Sequence, residues 1–134
     1  MTIQSNPLLI HCGIEKVSSY LSIPSNLSSL LPKDRISEFQ SDDQGCAFKV
    51  QGGITISLVF SERNEQGIRY MSGNKSPFPF TLQIQLTAKD GGVEGYLHFT
   101  GDTSPMVAML AKNPLTALFN DMGKNLKIQL ESQS

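Results

Sequence analysis

Few residues in this 134-residue chain have the type to do chemistry, and fewer have the spacing. His11 and His98 are the two histidines. A general base or a metal ligand needs partner groups, and neither histidine has the spacing of a metal motif. His98 alternates with Leu97 and Phe99, which puts it on the face opposite the apolar one. Asp42 and Asp43 could act as paired carboxylates, but they sit in SDDQG, where Asp supplies turn hydrogen bonds. Cys12 and Cys46 are too few and too unpatterned for a disulfide framework or a four-ligand zinc site, so both read as free thiols, with Cys46 a small core residue. The glycine pairs QGG and DGG lack the lysine and the strand-to-helix setting of a phosphate loop. Tyr70 and Tyr96 remain as acid–base candidates, and they fall on opposite faces of the sheet. The expectation is no catalytic residue, no metal site and no cofactor.

The elements that would position these groups are legible. From residue 35 the turn signals SDDQG, QGG, NEQG and DGG separate short runs rich in branched and aromatic residues. Six strands follow, over 35–41, 45–51, 54–62, 67–73, 79–88 and 93–101. Ile54, Ile56, Leu58 and Phe60 share one face, as do Phe80, Leu82, Ile84 and Leu86, while Thr81, Gln83, Gln85 and Thr87 share the other. Short turns between consecutive strands predict a curved antiparallel meander. Before it, IQSNPLLIH is a strand interrupted by Pro7, which suits an edge because proline cannot donate to a ladder. GIEKVSSYLS places Ile14, Val17 and Leu21 on one helical stripe, and IPSNLSSLLP restarts a second short helix at Pro24.

Size and composition bound the rest. The length suits one domain over residues 1–134, with 39% apolar and 17% charged residues. A net charge of −1 with interspersed signs argues against nucleic acid. The longest apolar runs fall far short of the roughly 20 residues a membrane span needs, so no membrane insertion is expected. MTIQSN lacks the basic start and long apolar segment of a signal peptide, so a cytoplasmic location is expected. A homodimer is compatible with the sequence, which carries no signal for it.

The segment SPMVAMLAKNPLTALFNDMGKNLKIQL, residues 104–130, repeats its apolar residues at helical spacing. Leu115, Leu118, Phe119, Met122 and Leu126 form one stripe, and Met106, Met109 and Leu110 extend it toward the N-terminus. Leu110, Leu115, Leu118 and Met122 are expected to face the sheet, with Lys112, Asn120 and Lys124 toward solvent. Asn113 followed by Pro114 reads as an N-cap and first helical position, which predicts a kink or break there. Methionine fills irregular core gaps and also lines adaptable apolar pockets, and both readings stand for Met71, Met106, Met109 and Met122.

The order of strand, two short helices, six antiparallel strands and a long C-terminal helix resembles the START-like (SRPBCC) superfamily. The blocks NLSSLLP, CAFKVQG, SPFPFTLQIQL and SPMVAMLAKNPLTALF are similar to those of a small bacterial SRPBCC group, chiefly from Bacteroidetes. The resemblance implies an α+β helix-grip fold, in which a sheet of about seven strands wraps the last helix around an internal cavity. It also implies a binder or carrier of a small hydrophobic, lipid-like molecule. Phe48, Leu58, Tyr70, Phe80, Leu82, Leu97, Phe99, Met106, Met109, Leu110, Leu118 and Met122 are the expected pocket lining. The sheet residues among them should point toward the C-terminal helix. An interaction or structural module with a filled cavity is the alternative, and a cyclase- or dehydratase-type enzyme is third.

Overall fold

Alternating apolar and polar residues become strands wherever one face can be buried, and here they build one continuous sheet. The computed structural model describes residues 1–132. In chain order the elements are β1 Thr2–Gln4, β2 Leu8–Ile10, α1 Ile14–Leu21, a 3₁₀ helix Pro24–Ser29, β3 Ile36–Ser41, β4 Gly45–Val50, β5 Ile54–Asn64, β6 Gly67–Ser72, β7 Phe80–Lys89, β8 Gly92–Gly101 and α2 Pro105–Glu131. The sheet has eight strands in the order β1-β8-β7-β6-β5-β4-β3, with β2 also on β8, and every pairing is antiparallel. The fold is α+β, a curved antiparallel sheet with a long C-terminal helix. All six strands expected between residues 35 and 101 form, with their ends within two residues of the expected ones.

The N-terminal strand splits in two at the edge. β1 and β2 both pair with β8, and Ser5, Asn6 and Pro7 lie between them. Ser5 keeps the edge closed there, since its N–H donates to the Leu97 carbonyl at 2.9 Å and its hydroxyl accepts from the Leu97 N–H at 2.8 Å.

Two different covers close the apolar face. α2 packs on β1, β2 and β8, while α1 and the 3₁₀ helix pack on β4, β6 and β7. The inward side chains of the sheet therefore meet the short helices as well as the C-terminal one. Tyr70 reaches α1, and its hydroxyl donates to the Leu21 carbonyl at 2.7 Å. Val17 and Leu21 of α1 and Leu27 of the 3₁₀ helix anchor this cover, all three fully buried. Asn125 of α2 joins the two covers by donating to the Leu30 carbonyl at 2.8 Å.

α2 is not broken at Asn113 and Pro114, since it runs through them as one helix of 27 residues. The N-cap is Ser104, whose hydroxyl accepts from the Val107 N–H at 3.3 Å, with Pro105 in the first turn. The Ser-Pro pair, rather than the Asn-Pro pair, starts the helix. Pro114 has no N–H for the Leu110 carbonyl, but that turn is exposed, and water can take the place of the missing bond.

Candidate functional site

Nine of the twelve residues expected to line a pocket meet in the interior between the sheet and its covers. Phe48, Leu58, Tyr70, Phe80, Leu82, Leu97, Phe99, Leu118 and Met122 are all buried and belong to one apolar cluster. The register brings them there. Leu82 stands opposite Tyr70 on one side and Phe99 on the other, so three strands present one apolar row. Aromatic rings continue it toward α2, from Phe80 to Phe99 with centroids 4.8 Å apart and from Phe99 to Phe119 at 5.3 Å.

The other three do not join them. Met106, Met109 and Leu110 are 72%, 77% and 71% exposed, which corrects their placement on the sheet-facing stripe. The buried stripe of α2 begins at Ala111 and continues through Leu115, Leu118, Phe119, Met122, Leu126 and Leu130. Ala111 and Leu130 extend it beyond the expected residues, and Ala111 gives no signal because a small side chain marks no face. Met71 lies on the outer face of the sheet, partly exposed, while Met122 is core. Lys112 and Lys124 are exposed as expected, and the half-buried Asn120 accepts from the Asn6 N–H at 2.8 Å.

A groove of about 370 Å³ opens between the middle of α2 and the β4–β5 turn. Val50, Gly52, Pro114 and Ala117 form its walls, and Arg35 stands at its rim. Arg35 Nε is 2.5 Å from Asp121 Oδ2, an ion pair that ties the segment before β3 to α2 across the groove. Gly52 and Gly53 shape the facing turn with φ of 105° and 99°, a region that side chains with a Cβ rarely adopt. Pro114 thus serves as a groove wall, a role that the sequence signal for a helix start concealed.

The ionisable groups near the interior are held in unreactive forms. Burial, and then the Asp42 carboxylate, push the Cys46 thiol up to about 12. Burial, and then Cys46, also raise the Tyr70 phenol, whose proton is committed to the Leu21 carbonyl. Asp42 accepts from the N–H groups of Gln44 at 2.8 Å and Gly45 at 2.9 Å, which hold its carboxyl below the usual range and give it the turn role expected. Both cysteines are free. His98 lies on the outer face with Nδ1 3.3 Å from Gln4 Oε1, and His11 is exposed near Gly91, so the two histidines do not meet. Tyr96 is half-buried on the outer face, across the sheet from Tyr70. No helix among the described residues is long and apolar enough to cross a membrane.

No protein-family model matches the chain, and no curated protein does. Solved structures do. KanY is 14% identical with a TM-score of 0.77, covering 98% of this chain and 97% of its own. XoxI from Bacillus cereus is 18% identical with a TM-score of 0.71, covering 98% and 96%. A START superfamily protein from Mycobacterium smegmatis is 12% identical with a TM-score of 0.65, covering 99% of both chains. At these identities the likeness is one of fold, and the chain has the START-like helix-grip fold.

Proposed function

We propose that the chain is a single START-like domain that binds or carries a small hydrophobic, lipid-like molecule between the sheet and α2, working in the cytoplasm of a bacterium. The small bacterial SRPBCC group remains the grouping its sequence blocks favour. The observation that carries the function is the groove at Pro114. It opens between α2 and the β4–β5 turn, and its wall residue Val50 belongs to the apolar interior. An apolar wall with few polar anchors suits binding. Catalysis would need an acid or base aimed inward, and the inward candidates, Tyr70 and Cys46, are kept protonated. On this reading uptake requires α2 to move away from the β4–β5 turn, with the segment before Pro114 as the mobile edge.

A second reading rests on a specific observation as well. Met106, Met109 and Leu110 present an apolar patch to solvent on the outer face of α2, as an interaction module would. Organic extraction of the purified protein followed by mass spectrometry separates the two. A co-purifying apolar molecule at about one per chain supports the carrier. An empty protein that shows no uptake from a mixed lipid extract and associates through the helix patch supports the interaction module.

A further inference from the structure

The outer face of the sheet carries a polar arrangement that the apolar interior does not use. Strand register sets Gln4 opposite His98, His98 opposite Gln83, Gln83 opposite Arg69 and Arg69 opposite Glu62, one row across five strands. Next to it Gln85 stands opposite Tyr96. Except for Gln4 and Glu62 these side chains are half-buried, packed side by side, and a groove of about 580 Å³ runs over them.

The row is electrically balanced. Arg69 Nη1 donates to Glu62 Oε1 at 2.6 Å, so the guanidinium charge is already matched, and its Nε donates to Gln83 Oε1 at 3.4 Å. A phosphate or carboxylate would find no uncompensated cation here. The amides of Gln4, Gln83 and Gln85 each offer a donor and an acceptor in one plane, and a sugar hydroxyl is likewise both donor and acceptor. The contacts now made by Gln83 with Arg69 and by Gln4 with His98, at 3.4 and 3.3 Å, are long, so ligand hydroxyls would displace weak bonds. The Tyr96 ring supplies an apolar surface for the C–H face of a pyranose. A shallow groove of this kind suits a ligand that keeps much of its surface hydrated.

From this juxtaposition we infer that the outer sheet face binds a neutral carbohydrate, with its hydroxyls on Gln4, Gln83 and Gln85 and a ring face against Tyr96. The test is titration of the isotope-labelled protein with maltose, cellobiose and chitobiose, followed by side-chain amide resonances, with citrate as the anionic comparison. At least one disaccharide should shift the Gln83 and Gln85 amides along a saturable curve. Gln85→Ala should weaken that binding about tenfold. Tyr96→Ala, a second variant at the same site, should do the same. Each variant's unfolding midpoint, measured in parallel, confirms that it is folded. Three results would overturn the inference: no disaccharide moves these resonances, citrate alone moves them, or they move with protein concentration because two copies stack on this face.

Discussion

The two apolar sets of α2, Met106 to Leu110 and the later stripe, lie on different sides of one helix and meet different fates. From Ala111 onward the stripe is buried on β1, β2, β8 and the 3₁₀ helix, whereas Met106, Met109 and Leu110 stand in solvent. At about 100° per residue Met106, Met109 and Leu110 point away from Leu115, Leu118 and Met122, while Ala108, in phase with the buried stripe, stays half-buried. Pro114 forms a groove wall and leaves the helix's hydrogen-bond ladder one bond short.

The sharpest way to break this comparison is to cut one side chain from each part. Leu118→Ala, in the packed part, should cost about 2–5 kcal/mol as a core cavity substitution, measured by denaturant unfolding. A loss comparable to that of a surface change would mean that α2 does not close the interior. High pH probes burial away from the helix. The folded Cys46 thiol holds its proton to about 12 against an ordinary value of 9.0, so the unfolded chain binds fewer protons between those values. Stability is then fully present below about pH 9 and falls as pH rises toward 12. Cys46→Ala should flatten that fall in a pH series of unfolding midpoints, and an unchanged slope would contradict burial of the thiol.

Pro114→Ala restores an N–H to the ladder and should stabilise the protein by about 1–3 kcal/mol, since interior proline is the least favourable helix residue. If it destabilises instead, the ring's packing in the groove outweighs the missing bond. Arg35→Ala, which removes a partly exposed ion pair, should cost less than about 1 kcal/mol. Met109→Ala should stay within about 0.5 kcal/mol, as expected for a surface substitution. A loss above that would show that the first turns of α2 pack on something.

The sheet was legible where its alternation is uninterrupted, as along β7 and β8. Leu82 and Ile84 are buried and Gln83 and Gln85 face outward in the expected phase, and a one-residue slip would have reversed all four. Nine of the pocket residues follow from that phase and from the central helix stripe. What was not legible depends on contacts between elements. The break expected at Asn113 and Pro114 hid the phase of the run from Met106 to Leu110, which in one continuous helix falls on the side away from the buried stripe. The division of the cover between α2 and the short helices rests on bonds such as that from Tyr70 to Leu21, 49 residues apart. The groove draws Arg35, Val50 and Pro114 from three separate segments, and each reads locally as something else.

The most direct test of the central claim is uptake of an apolar fluorescent probe, N-phenyl-1-naphthylamine, by the native protein and by Pro114→Ala, with rates and endpoints recorded. The account predicts saturable binding at about one probe per chain, with slower association in Pro114→Ala because a continuous ladder stiffens the edge that must move. Absence of saturable binding, or binding abolished by Met109→Ser while Pro114→Ala leaves the rate unchanged, would contradict it and place the function on the exposed helix patch.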